Sequence, residues 1–307
     1  QESLQNLDMN QITEALDNYN FNIEQFEEQI DRYIDMFQTA MAEQKLDELA
    51  ENIENMIEKQ NDLISDLDNN EDEYVLSKKS KKQESRYDNF KESVDETKNS
   101  MKSINENTYQ DLQDLIDDSI IKETEENLKK QTESIKRTNS NQMAKSAKSN
   151  LEGIAEMIEQ ARAEFQEEIT KKLTKEFILI IDNLLSISNQ QEQLIDDSKS
   201  MRSNSPNLKE INRFQDNIDR QLNQITKQLI NLSNNTFFVN PNINRYIGKL
   251  KSSISNTISS FEQKQISEGK KNQVTSLKYI NNITFLLLLS MDEMQSSNSA
   301  SGFEKFM

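Results

Sequence analysis

Apolar side chains in this chain recur at intervals of four and three residues, and this spacing limits the folds that the chain can adopt. A first series with this spacing consists of Ile12, Leu16, Tyr19, Ile23, Phe26, Ile30, Tyr33 and Phe37. A second series consists of Leu46, Leu49, Ile53, Met56, Gln60, Leu63 and Leu67. Residues three and four apart lie on one side of a helix, whereas a strand places every second residue on one side. The pattern therefore predicts long helices with a narrow apolar seam, as in coiled coils.

The two series are out of phase with each other, and neither Gly nor Pro separates them. One long helix with a phase slip near residues 38–45 accounts for the offset. A helical hairpin at the same place is the alternative. The sequence is compatible with both interpretations.

Residues that form turns are scarce. The chain has 4 Gly and 2 Pro in 307 residues, whereas average usage would supply roughly twenty and fifteen. Sheets and βαβ folds need these residues at their turns, so both are disfavoured. Apolar residues make up 34% of the chain, below the usual 45–50% or so. This content favours long helices that bury only a seam over one compact core.

In the first half of the chain, polar residues mark predicted turns and weaken the seams. Residues 68–72 (DNNED) predict a turn, because Asn and Asp favour turns. The helix that follows has Ser80, Gln83 and Thr97 at seam positions. Residues 105–108 (NENT) are predicted to cap the next helix, since polar side chains there can accept from a free backbone N–H.

The second half has denser apolar stripes. A long helix is predicted from Met143 onward, and its most apolar part, residues 177–195, runs into a Gln- and Glu-rich end. Ser205–Pro206 and Asn240–Pro241 are predicted to begin the next two helices, because Pro fits the first helical turn. A last helix carries the apolar residues from Val274 onward. The short connections between these helices predict an antiparallel bundle.

These patterns predict an all-α chain with two regions. Residues 1–138 form an elongated coiled-coil region and residues 139–307 an antiparallel helical bundle, with residues 137–141 (RTNSN) as the predicted linker. The chain begins at Gln1 rather than Met and ends at Met307 within a helix-like pattern. We therefore expect it to be a fragment of a longer chain.

The side chains that most often carry catalysis and bind metals are missing. The sequence contains no His and no Cys, and no Gly-rich phosphate loop is present. The net charge of −18 disfavours nucleic-acid binding, which relies on Lys and Arg to neutralise phosphates. We predict a protein that is not an enzyme, has no catalytic, cofactor-binding or metal-binding residues, and has neither a small-molecule substrate nor a cofactor.

Several charged clusters could form catalytic or binding sites. The pairs Asp117–Asp118, Glu125–Glu126 and Asp196–Asp197 could suggest acid–base chemistry or a metal. Adjacent residues on a helix point about 100° apart, so such pairs do not converge. The lysines of residues 78–82 (KKSKK) could contact anionic lipid or an acidic partner. Solvated helix faces are the preferred interpretation of all these clusters.

Two further segments have a functional alternative. Gln191–Glu192 could contact a partner, but a polar helix end with its side chains on the surface is preferred. Residues 283–289 (ITFLLLL) form the longest apolar run, well short of the roughly 20 residues of a spanning helix. The run could be the insertion element of a pore former. Complete burial in the centre of the bundle is preferred, because helices that are apolar on every side are usually interior.

Three segments carry a resemblance to a known family: residues 182–195 (DNLLSISNQQEQLI), 279–295 (YINNITFLLLLSMDEMQ) and 301–307 (SGFEKFM). They resemble elements of a bacterial family of large, membrane-anchored helical and coiled-coil proteins known only as a domain of unknown function. Residues 41–67 resemble the coiled coil of that family more loosely. Asn189 and Gln190 depart from the residues that are commoner before the Gln–Glu pair.

The resemblance implies a location in the bacterial cell envelope and membrane anchors upstream of this chain, but no activity and no catalytic residues. We therefore expect a structural, tethering or scaffolding module that binds protein partners or itself through helical faces. Contact with the membrane is expected only through segments outside this chain. The alternative is a membrane-active or pore-forming helical protein that uses residues 283–289 as its insertion segment.

Overall fold

A computed structural model describes the backbone of residues 9–135, 139–297 and 302, and side chains from Ile34 onward. These residues form eight helices and no strand, so the prediction of an all-α fold is confirmed. The helices are α1 (Met9–Asp68), α2 (Glu73–Met101), α3 (Glu106–Asp117), α4 (Ser119–Glu133), α5 (Ser140–Ser198), α6 (Leu208–Asn235), α7 (Asn242–Glu262) and α8 (Ile266–Gln295).

The chain packs into two compact units. The central unit comprises Gln38–Ile169, and the terminal unit comprises Gln1–Phe37 together with Thr170–Met307. Helices α1 and α5 each contribute residues to both units. The sequence pattern placed a division after residue 138, which is not a boundary of these units. That division stays a prediction. Of its proposed linker, residues 137–141, residues 137 and 138 lie outside the described residues, and Ser140 and Asn141 belong to α5.

Helix α1 is continuous through residues 38–45, so the phase slip occurs within a helix and no hairpin forms there. Buried positions beyond the slip follow the predicted second series, from Leu46 to Leu63. At the end of the first series the prediction is wrong, because Met36 is buried and Phe37 is exposed. The side chains of residues 12–33 lie outside the described part of the chain.

The helix ends of the central unit are set by local side-chain caps. The carboxylate of Asp72 accepts from the backbone N–H of Tyr74 at 2.9 Å and so begins α2. Within the predicted capping segment 105–108, Asn105 is the residue that caps α3, and it accepts from the N–H of Thr108 at 2.9 Å. Asp118 ends α3 and caps α4. The sequence did not reveal this last break, which buries Ile121 and leaves Ile120 half-buried.

The core of the central unit is drawn from all of its helices. Tyr87, Phe165, Leu46, Leu112 and Leu151 are among its fully buried members. The Tyr87 hydroxyl donates to the backbone oxygen of Ile121 at 2.9 Å, so its polar atom is satisfied inside the core. Burial raises the pKa of that hydroxyl, which stays protonated at neutral pH.

The two proline-containing starts in the terminal unit are displaced from their predicted places. Ser205–Pro206 lies in a turn before α6, which begins at Leu208, and the Ser205 hydroxyl accepts from the N–H of Arg202 at 2.9 Å. Pro241 occupies the capping position of α7, and Asn240 accepts from the N–H of Asn242 at 3.0 Å. Both segments therefore do precede helices, but they form turns instead of the first helical residues.

Candidate interaction surface

The apolar run of residues 283–289 is not enclosed on every side, so that expectation is wrong. Ile283, Thr284 and Leu287 are buried, whereas Phe285 is 58% exposed, Leu288 43% and Leu289 42%. Neighbouring helices cover only one face of α8, because its buried positions recur at helical spacing. The uncovered face carries the large apolar side chains of Phe285, Leu288 and Leu289.

Helix α5 adds exposed apolar side chains in the same unit. Ile178 and Leu185 are 45% and 46% exposed, and Leu179 is also exposed. Ile180 and Leu184, on the other side of the helix, are buried. Helix α5 therefore has apolar residues on its covered and its uncovered faces within residues 177–185.

Two hydrogen bonds fix how α5 and α8 lie beside each other. Ser198 Oγ donates to Gln273 Oε1 at 2.8 Å, and Ser188 Oγ lies 2.7 Å from Asn281 Oδ1. The residue number falls along α5 as it rises along α8, so the two helices run in opposite directions. Extending this register places Leu185 and then Ile178 alongside residues 285–291.

Exposed apolar residues of the two antiparallel helices thus fall at similar levels along their axes. We call this surface the α5/α8 patch. It consists of Ile178, Leu185, Phe285, Leu288 and Leu289. The exposed area of these side chains is on the order of 400 Å², a size at which apolar patches on soluble proteins are often functional. A contiguous apolar surface fits a partner that also presents apolar side chains.

Beside this patch, the structure corrects the interpretation of Gln191. Gln191 is fully buried, whereas Glu192 is exposed. Gln215 Nε2 donates to Gln191 Oε1 at 2.9 Å, and Gln191 Nε2 donates to Gln215 Oε1 at 3.3 Å. Gln273 Nε2 donates to the same Gln215 oxygen at 3.2 Å, and Ser198 donates to Gln273. We call these four residues the terminal glutamine cluster.

A second buried polar cluster lies in the central unit. Gln60 Nε2 donates to Gln131 Oε1 at 2.7 Å and to the backbone oxygen of Ala144 at 3.0 Å. Gln131 Nε2 donates to Ser80 Oγ at 3.1 Å, and Gln83 Nε2 donates to a backbone oxygen of α1 at 2.5 Å. The polar residues that the sequence placed at seam positions are therefore buried. Gln60 and Ser80 are joined through Gln131, whereas Gln83 and Thr97 donate to backbone oxygens.

These clusters hold helices in register and are poorly suited to chemistry. Amides and hydroxyls do not ionise near neutral pH and are weak nucleophiles without an adjacent base. Buried polar groups that satisfy one another disfavour shifted helix registers, because a shift would leave them unpaired. A signal for them existed in the sequence: Gln191, Gln215 and Gln273 all occupy seam spacing among apolar residues.

The carboxylate pairs behave as solvated or capping groups. Asp117 and Asp118 are exposed, and Asp118 caps α4 by accepting from the N–H of Ile120 at 2.8 Å. Asp196 and Asp197 are exposed as well. Within the described ranges, no group of three or more acidic residues is placed to hold a metal ion.

The lysines at 78, 79, 81 and 82 are all exposed, as a solvated face requires, and Lys79 forms an ion pair with Asp66. Glu125 is the most strongly perturbed carboxylate. Its hydrogen bonds with Lys129 and Lys91 lower its pKa to about 2. Asp111 is shifted the other way, because burial and the nearby Glu164 raise its pKa.

Judged by length and composition alone, one helix of the described chain is long and apolar enough to span a membrane. It is α8, whose best 18-residue window has a mean hydropathy of 1.2 and is 33% buried. Core helices of soluble proteins have the same properties. Comparisons with protein-family models, with curated proteins and with solved structures gave no match to the chain.

Proposed function

We propose that the chain is a non-enzymatic scaffolding or tethering module that holds protein partners through faces of its helices. The α5/α8 patch carries this proposal, because it concentrates Phe285, Leu288 and Leu289 on one uncovered face. Interfaces are energetically dominated by a few large anchors of this kind, surrounded by polar groups. In this proposal α1 provides a coiled-coil arm, and α5–α8 pack as an antiparallel bundle that presents the patch.

The arrangement of titratable groups favours binding over catalysis. An active site brings together groups whose pKa values are shifted in different directions. Here Asp111, Glu125 and Tyr87 have shifted pKa values, but salt-bridge geometry accounts for Glu125 and burial for the other two. With neither His nor Cys in the sequence, no nucleophile has a neighbouring imidazole base.

The placement of this module in the bacterial cell envelope is part of the proposal and rests on the resemblance of residues 182–195 and 279–295 to the membrane-anchored family. In that arrangement the anchor lies in segments outside this chain. The chain itself then reaches partners through the α5/α8 patch without entering the lipid.

The test is photo-cross-linking at the patch in the cell that produces the protein. A photoreactive amino acid replaces Phe285, and a matched variant carries it at Tyr74, an exposed residue of α2. We expect position 285 to form discrete protein adducts and position 74 to form few. Adducts at 285 that contain only lipid, or none at all, would refute the proposal.

The second candidate function is membrane insertion through residues 283–289. The observation that favours it is the combination of length, hydropathy and partial exposure in α8. Dye release from vesicles separates the two candidates. A scaffold leaves vesicles intact, whereas a pore former releases dye and loses this activity in Phe285→Asp.

A further inference from the structure

The uncovered face of α8 is a heptad seam in its own right. Its exposed residues are spaced by four and three: Val274, Lys278, Asn281, Phe285, Leu288, Asp292 and Gln295. This is the spacing by which one helix packs against another in a coiled coil. Within the described chain the opposite face of α8 is buried, and Asn281 bonds with Ser188 of α5 at 2.7 Å, whereas Phe285 and Leu288 are exposed. The seam around these two residues therefore has room for one more helix.

Charge is distributed along the seam in a way that specifies the partner. Phe285 and Leu288 form its apolar centre, with Lys278 toward one end and Asp292 toward the other. In the part of the chain that the structure describes, neither Lys278 nor Asp292 forms an ion pair. A second α8 lying antiparallel would bring its Asp292 next to Lys278, and the reverse, while the two apolar centres meet.

We propose that the partner at this seam is a second copy of the same chain, with the two α8 helices packed antiparallel across a two-fold axis near Phe285 and Leu288. This inference rests on the proposed function and names its partner. A two-fold axis makes both contacts equivalent, as in most homodimers. A parallel arrangement would place Lys278 against Lys278 and Asp292 against Asp292, which is unfavourable.

A second copy explains the seam better than a lipid surface does. The polar residues Lys278, Asn281 and Asp292 recur along the face that a membrane would have to bury, whereas an antiparallel copy gives the two charged ones opposite charges to pair with. The neighbouring Ile178 and Leu185 of α5 extend the apolar area at the edge of the same contact.

The expected dimer is weak, because the apolar centre is small. Contacts of this size fall at or below the low end of specific interfaces, about 1,200 Å² in total, and a dissociation constant on the order of 100 µM is expected. Sedimentation equilibrium of the purified chain over a wide concentration range measures it. Phe285→Ser should abolish association, and Tyr74→Ser, a change at a still more exposed aromatic residue in the central unit, should leave it intact.

Charge exchange tests the antiparallel geometry. Lys278→Glu places like charges at both ends of the dimer, and Asp292→Lys does the same with the opposite sign. Each variant should self-associate about tenfold more weakly, because it loses two surface ion pairs that each contribute about 0.5–1 kcal/mol to the dimer. An equimolar mixture of the two variants restores both attractive pairs, so the mixture should associate about as tightly as the unaltered chain. Circular dichroism checks that each variant keeps its helices.

Three results would overturn the inference. They are a chain that stays monomeric at all concentrations, a dimer that Phe285→Ser leaves unchanged, and a mixture of the charge variants that associates no better than either alone. Binding of the chain to vesicles of anionic lipid through Phe285, without a dimer, would overturn it in favour of a membrane surface. A monomeric chain whose position 285 still cross-links to another protein in cells would contradict self-association alone and leave the scaffolding function standing.

Discussion

Two acidic residues in the central unit, Asp111 and Glu125, have pKa values that the folded state shifts in opposite directions. Asp111 on α3 has a carboxylate oxygen with no hydrogen-bond partner and lies near the carboxylates of Glu164 and Asp114. Glu125 on α4 instead accepts from Lys91 at 2.6 Å and also pairs with Lys129. The two residues therefore contribute to stability with opposite signs, and pH distinguishes them.

Asp111→Asn should stabilise the chain at pH 7. The folded state raises the pKa of Asp111, so ionisation at neutral pH opposes folding, and a neutral amide removes that penalty. We expect a gain of about 1 kcal/mol in urea melts at pH 7 that shrinks as the pH falls and Asp111 itself becomes protonated. The exposed control Glu92→Gln should change stability by less than about 0.5 kcal/mol. A loss of stability in Asp111→Asn would contradict this interpretation.

Glu125→Gln should destabilise the chain at neutral pH but not in acid. The pKa of Glu125 is lowered from 4.5 to about 2 in the folded state, so its stabilising pairs are present above pH 4.5. As the pH falls from 4.5 to 2 the carboxylate becomes protonated and this contribution is lost. The difference in unfolding free energy between the unaltered chain and the variant should therefore close over that range. A difference independent of pH would show that the two lysines do not stabilise the ionised form.

At the scale of single helices, the features that the sequence predicted are turns and caps, which depend on side chains close by in the chain. The turn after α1 and the cap at Asn105 were predictable because Asn and Asp side chains bond to nearby backbone groups. The exposure of Leu288 was not, because it depends on which side of α8 the neighbouring helices cover. The burial of Gln191 was indicated by its seam spacing and not by its polarity. Hydropathy alone assigned Leu288 to the interior and Gln191 to the surface, and both assignments are wrong.

Helix α8 should respond very differently to two neighbouring truncations. Leu287 is fully buried and Leu288 is largely exposed, although both lie in the same apolar run. Leu287→Ala should destabilise by about 2–5 kcal/mol through lost burial and a residual cavity. Leu288→Ala should stay within about 1 kcal/mol. Urea melts of the two variants compare them directly, and equal effects would show that α8 is enclosed on both faces.

The terminal glutamine cluster predicts a penalty for an apolar replacement at its centre. Gln215 on α6 bonds both Gln191 and Gln273, so Gln215→Leu leaves two buried amides short of partners. We expect a loss of about 2–4 kcal/mol, from a penalty of about 1–3 kcal/mol for each unsatisfied group. Gln224→Leu, an exposed change on the same helix, serves as the control. Unchanged stability in Gln215→Leu would show that the cluster does not hold α5, α6 and α8 in register.

At the scale of the whole molecule, helices that bury a narrow seam leave other faces free for partners. The fold class followed from heptad spacing and the scarcity of Gly and Pro, whereas the α5/α8 patch became visible only once α5 and α8 were placed side by side. Its residues are separated by about a hundred positions in the sequence, from Ile178 to Phe285. No local pattern could join them.

The absence of cysteine from the sequence allows a direct measurement of whether this patch is covered. A single thiol at Phe285→Cys, compared with one at Tyr74→Cys, reports accessibility through its rate of reaction with a maleimide. In the dilute purified chain both thiols should react quickly, because both parent side chains are exposed. In the cell that produces the protein, the thiol at position 285 should be protected by its partner while that at position 74 stays reactive. A thiol at 285 that reacts as fast in the cell as in the dilute chain would contradict the proposal that the α5/α8 patch binds a protein.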